Sequence, residues 1–173
     1  VSVPTISEWL GILETTSQTL LLPPFYENFG KRLIKSPRLY FVDSGLVCHL
    51  LGIETASMLN RSPFLGPIFE GFVASEIIKL QLAAGRTRSL YYFRDQQGLE
   101  VDFVVPAVNR TLTFIEAKAS QTVTPGMAVP LRRLKEAAGR DYAVHGFVVH
   151  RRTKETPAVS ALAEGIEAVS VDQ

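Results

Sequence analysis

The sequence predicts an α/β protein in which a mixed sheet is flanked by helices. Three observations carry this. An apolar stripe at helical spacing, Ile68 to Ala84, precedes three strand-like runs: Leu90 to Arg94, Leu99 to Val105 and Leu112 to Ala119. A second helical stretch, Pro125 to Ala138, then ends at Gly139. A fourth strand, Val144 to His150, and a fifth, Ile166 to Val171, close the chain. A helix, a three-strand meander, a second helix and a further strand make a layered mixed-sheet arrangement.

The chain has 173 residues, 46% hydrophobic and 20% charged, with a net charge of +1. That length suits one domain, or a small domain joined to a mid-sized one. The hydrophobic fraction and the small net charge exclude disorder. The single cysteine, Cys48, excludes a disulfide scaffold and fits a reducing, cytoplasmic setting. No apolar run reaches the ~20 residues of a membrane-spanning helix, and no signal segment opens the chain. Near-neutral charge argues against a strongly basic nucleic-acid coat and leaves room for a local basic patch.

At the N-terminus, Pro4 occupies a first helical turn, and Ile6, Trp9, Leu10 and Leu13 form one apolar face. A helix that opens at residue 1 with a full stripe, Trp9 as its anchor, is expected to belong to a longer protein. The apolar run Thr19 to Tyr26 stops at Pro23-Pro24, and Arg38 to Val42 reads as a strand. Helix, strand, turn and strand resemble the latter half of a winged helix. Its wing would carry Lys31, Arg32, Lys35 and Arg38 toward phosphates, or would be a solvated hairpin. Asp43 or Ser44 caps a short helix ending near Gly52, and Glu54 to Pro67 reads as a loop. The expected division is 1–60, a partial winged-helix segment with a linker helix, and 61–173, a second domain.

The chemistry concentrates on two strands. In Leu99 to Val105, Val101, Phe103 and Val105 share one face, and Glu100 and Asp102 share the other. In Phe114 to Ala119, Glu116 and Lys118 share a face. Pairing through the turn at Asn109-Arg110 clusters Asp102, Glu116 and Lys118. Adjacent carboxylates repel unless a cation joins them. Hard oxygen ligands suit Mg²⁺ or Mn²⁺, and Lys118 would orient a water or stabilise phosphate charge. The same residues also fit an exposed sheet face with cross-strand Glu–Lys pairing.

Asp102 followed by Glu116-Ala117-Lys118 on adjoining strands resembles the PD-(D/E)xK motif of restriction-endonuclease-like nucleases, with Val101 where the motif's proline would stand. The resemblance covers about Phe64 to Val149 and implies a metal shell of Asp102, Glu116 and the Ala117 carbonyl. A wider resemblance runs through four blocks. These are Pro23-Pro24-Phe25 to Leu46, Gly66 to Glu76, Tyr91-Tyr92-Phe93-Arg94 with Glu100-Val101-Asp102-Phe103, and Ile115 to Ser120. Together they are similar to the uncharacterised C-terminal domain of bacterial and archaeal AAA+-type ATPases. This resemblance implies an ATPase module upstream; no Gly-x-x-x-x-Gly-Lys-Ser/Thr loop occurs within these residues.

Two helix glutamates are candidates for the metal shell. Glu76 lies on the stripe centred on Phe69, Val73 and Leu80, where a carboxylate needs a partner. Glu70 lies at its edge, in the pattern that resembles the superfamily's first helix. Arg94 would meet a phosphate or bridge to Glu100, which itself would support the shell or face water. His49, His145 and His150 show no ligand spacing with Cys48, and neither Ser44 nor Ser120 has an adjacent histidine. The expected function is Mg²⁺- or Mn²⁺-dependent phosphodiester hydrolysis on DNA. The alternatives are a non-catalytic DNA- or protein-binding module, and self-association of a parent ATPase.

Overall fold

The computed structural model describes residues 1–27, 29, 33–152 and 159–171. Helix α1 (Val3–Thr15) starts at Ser2, whose hydroxyl accepts from the Thr5 amide. Strands β1 (Thr19–Leu22) and β2 (Arg38–Phe41) pair antiparallel, Thr19 opposite Phe41 and Leu22 opposite Arg38. Helices α2 (Ser44–Leu50) and α3 (Ala56–Arg61) follow, each capped by a side-chain oxygen, from Asp43 and Thr55. Helix α4 (Leu65–Ala83) leads into β3 (Tyr91–Arg94), β4 (Glu100–Ala107) and β5 (Thr111–Lys118). Helix α5 (Val129–Ala138) has Pro130 in its first turn, where proline's missing amide has no helical partner to lose, and Gly139 at its end with φ +65°. Strands β6 (Ala143–Arg151), β7 (Val159–Ala163) and β8 (Ile166–Val171) complete the chain.

The main sheet has six strands in the order β3-β4-β5-β6-β8-β7. β3, β4 and β5 form an antiparallel meander, β5, β6 and β8 run parallel, and β7 returns antiparallel to β8. The parallel step from β5 to β6 requires a crossover, which α5 supplies. Strand β7 is a finding beyond the sequence reading, as is α3 within the stretch read as loop.

Two apolar clusters hold the layers. One joins α5 to the sheet through Val101, Leu112, Phe114, Leu131, Leu134 and Val148. The other joins α4 and the β1–β2 pair to the sheet through Leu20, Leu22, Tyr40, Phe69, Tyr92 and Phe103. Burying a side chain of Phe or Leu size contributes roughly 1.5–3 kcal/mol, so β1–β2 is held to α4 and the sheet by several such terms.

Between the paired strands β1 and β2, Pro24 bridges to Tyr92 of the edge strand β3 and Leu33 to Asp95 just beyond it. Two expectations need correction. The stripe of α4 is not centred on Leu80: that residue is 71% exposed, and the buried positions are Ile68, Phe69, Gly71, Val73, Ala74 and Ser75. Trp9 is 54% exposed and α1 buries no residue, so Trp9 anchors nothing among the described residues. Among the described residues, no helix is long and apolar enough to cross a membrane.

Candidate functional site

The site forms where β4 and β5 part. Their ladder runs from Ala107–Thr111 to Phe103–Ile115 and goes no further. The next residues along, Asp102 and Glu116, are the first outside it. Across the other edge of β4, Tyr91 opposes Val104 and Phe93 opposes Val101. Tyr92 therefore faces two residues, Asp102 and Phe103, which is the two-against-one count of a β-bulge. The bulge breaks the alternation read from the sequence. Val101 packs with the α5 cluster, Phe103 with the α4 cluster, and the Asp102 carboxylate turns to the gap between strands. There its Oδ2 accepts the Ala117 amide at 3.0 Å, a bond that the ended ladder no longer supplies from backbone.

Glu116, on β5, is only 6% exposed. Its Oε1 accepts from Lys118 Nζ at 2.6 Å, and its buried Oε2 has no hydrogen-bond partner among the described residues. Burial, then the neighbouring Asp102 charge, pushes the Glu116 carboxyl up to about 7. Burial pulls the Lys118 ammonium down, but the Glu116 hydrogen bond and charge, with Asp102 and Glu70, leave it above its ordinary value.

Glu70 arrives from α4. Its Oε1 accepts from Tyr40 Oη and from Arg38 Nη1, the latter at 3.0 Å. Burial first, then the Asp102 charge, raises the Glu70 carboxyl; burial and the Glu70 charge raise the Tyr40 phenol. Glu76 does not reach this group. It pairs with Lys79 at 2.8 Å on a side chain that is 45% exposed. Six residues along a helix amount to roughly 600°, so Glu70 and Glu76 cannot face one cluster.

Arg38, read from sequence as a wing charge, stands at the centre instead. Its Nη1 lies 3.0 Å from Glu70 Oε1 and 3.4 Å from Asp102 Oδ1, and its Nη2 donates to Glu100 Oε1. The guanidinium stacks on the Tyr92 ring, 4.7 Å from its centroid. Arg94 bonds the other Glu100 oxygen at 3.1 Å. Of the remaining sequence candidates for nucleic acid, Lys35 is exposed, and Lys31 and Arg32 lie outside the described residues. His150 is buried beside Lys118 in the β5–β6 register, with Nδ1 3.0 Å from the Arg151 carbonyl.

The donor set fits a small hard cation: carboxylates of Asp102, Glu116 and Glu70, the Ala117 carbonyl next in the chain, and one buried carboxylate oxygen without a partner. The carboxylates are not gathered onto a single point. Among the described residues, no group of three or more His, Cys, Asp or Glu side chains is arranged to hold a metal ion. Glu70 and Asp102 are instead held by Arg38.

Fold and site together define a mixed α/β protein with a carboxylate–lysine group at the fork of two central strands. Residues 65–171 match the family described as Domain of unknown function (DUF4143), and the chain belongs to it. Residues 1–57 match a second family, Domain of unknown function (DUF8612). The chain is similar to an uncharacterized protein of Mycobacterium bovis and to one of Mycobacterium tuberculosis, each 36% identical over 132 residues. The matched part is 76% of this chain and 28% of each relative, so the chain spans well under half of their length. No solved structure matches.

Proposed function

We propose that the fork site performs divalent-cation-dependent phosphodiester hydrolysis on DNA. In this reading residues 61–173 form a restriction-endonuclease-like PD-(D/E)xK domain behind a partial winged-helix segment at 1–60. The whole is the C-terminal region of an AAA+-type ATPase. The observation that carries the reading is the buried Oε2 of Glu116, without a partner among the described residues, on a carboxylate whose other oxygen is held by Lys118 and which feels the Asp102 charge. A buried carboxylate oxygen without a donor is costly unless a proton or a cation completes it.

Asp102, Glu116, Glu70 and the Ala117 carbonyl would hold Mg²⁺ or Mn²⁺. The ion would polarise a phosphodiester oxygen and acidify a water. The protein's own part is positional. The Ala117 amide fixes the Asp102 carboxylate, and Tyr40 fixes Glu70. Lys118, 36% exposed at its side chain, presents an ammonium at the solvent edge, where it would orient a water or stabilise phosphate charge. Lys31, Arg32, Lys35 and Arg94 would contact the DNA backbone, Arg94 after leaving Glu100.

Cleavage of duplex, single-stranded and branched DNA with Mn²⁺ tests the reading. Metal-dependent cleavage lost in both Lys118→Ala and Asp102→Asn, with folding intact by circular dichroism, is expected. Cleavage that survives both changes refutes it. One observation favours a second reading, a non-catalytic DNA- or protein-binding module: a guanidinium already neutralises Glu70 and Asp102. DNA retention without cleavage under any divalent cation would favour that module.

A further inference from the structure

We infer that Arg38 is the built-in counter-cation of the fork site, and that a divalent ion takes up Glu70 and Asp102 only by displacing it. The inference rests on the cation reading above and adds how the site is controlled.

One guanidinium reaches three carboxylates, Glu70 from α4 and Glu100 and Asp102 from β4. A guanidinium keeps its proton throughout the working pH range, so its charge leaves only when the side chain moves. The oxygens facing Arg38 Nη1 are Glu70 Oε1 and Asp102 Oδ1, at 3.0 and 3.4 Å. Mg²⁺ sits about 2.0–2.1 Å from its oxygens. An ion bonded to these two atoms on that side would press into Nη1 and would also repel its charge.

Charge balance gives the same answer. Ionised, Glu70, Glu100, Asp102 and Glu116 carry −4, and Arg38, Arg94 and Lys118 carry +3, a sum of −1. A divalent ion added with Arg38 in place brings the group to +1; with Arg38 withdrawn it brings the group to zero. The second, independent sign is Glu116. Its ion pair is with Lys118, and its buried Oε2 has no donor among the described residues. Arg38 thus neutralises Glu70, Glu100 and Asp102 and leaves Glu116 to an ion.

The placement of Arg38 makes this a link between regions. It is the first residue of β2, directly after Pro37, and lies within residues 1–57, matched by one family. The carboxylates lie within residues 65–171, matched by the other.

The test is calorimetric titration of Mn²⁺ into wild type, Arg38→Met, Arg38→Lys and Arg38→Met/Asp102→Asn. Methionine keeps an unbranched apolar stem and removes the guanidinium with its charge. The inference predicts binding at least tenfold tighter in Arg38→Met than in wild type, an intermediate affinity in Arg38→Lys, and loss in the double variant. Equal or weaker binding in Arg38→Met, with wild type binding saturably, overturns the displacement and leaves the cation site standing. No binding in any form overturns the cation reading and the inference with it. A measurement on the wild type covers the case of a variant that does not fold. Saturation with Mg²⁺ should move the Arg38 Nε–H resonance to that of a solvated arginine, and a resonance unmoved at saturation refutes the displacement.

Discussion

Replacing Glu116 with glutamine removes a charge from a place that water barely reaches. Glu116 is 6% exposed, and burial together with the Asp102 charge moves its carboxyl from 4.5 to about 7. Between those values the folded protein holds a proton that the unfolded chain has released. The unfolded state therefore binds fewer protons there, and stability falls as pH rises through the window. Each tenfold change in acidity is worth ~1.4 kcal/mol, so the buried charge costs roughly 3 kcal/mol once it is ionised in both states. Glutamine has the same shape and no charge. Urea denaturation of wild type and Glu116→Gln at several pH values gives the difference in unfolding free energy. Whatever its constant offset, that difference should shift in the variant's favour by about 3 kcal/mol between about pH 4.5 and pH 8. In the wild type, Lys118 is held above its ordinary value by Glu116 and stays charged across this window. A difference that is flat with pH, or moves against the variant, refutes the argument that burial destabilises the Glu116 carboxylate.

Other outcomes follow from the same geometry. Glu70→Gln should weaken Mn²⁺ binding measured by calorimetry, whereas Glu76→Gln, whose partner is the exposed Lys79, should leave it unchanged and shift stability by less than ~0.5 kcal/mol. Tyr40→Phe deletes the hydroxyl that donates to Glu70 and should lower unfolding free energy by about 1–2 kcal/mol in urea denaturation. Gly146→Ala places a methyl 2.7 Å from Ile166 Cγ1, between β6 and β8, and should lower the denaturation midpoint through an overpacking cost of about 1–3 kcal/mol.

The helices and the central strands were legible because their signals are local. Asp43 capping α2, Gly139 ending α5 and the strand alternation each depend on residues within a turn or two. The nearness of Asp102 and Glu116 was legible because both strands carried acids at positions that a short turn brings together. What could not be read is what tertiary packing decides. The bulge at Asp102 and Phe103 arises from β3, where Tyr92 fills the space of two residues. Helix α4 has apolar residues on every side, so its pattern alone does not point its buried face. Leu80 drew that face toward Glu76 although it is exposed. Arg38 lies 64 residues from Asp102 in sequence. Its neighbours Lys31, Arg32 and Lys35 made it look like one more surface charge. The signal that could have separated it is its position at the start of a strand ending in the buried Tyr40, followed by the Asp43 cap.

The most direct test of the cation site is where a paramagnetic ion sits on the folded chain. Substoichiometric Mn²⁺ added to uniformly ¹⁵N-labelled protein broadens only the amides close to it. The account predicts that the amides of Asp102, Glu116 and Ala117 broaden first, and that Asp102→Asn abolishes the effect. Broadening that is absent at those three residues, or that persists there unchanged in Asp102→Asn, would contradict it.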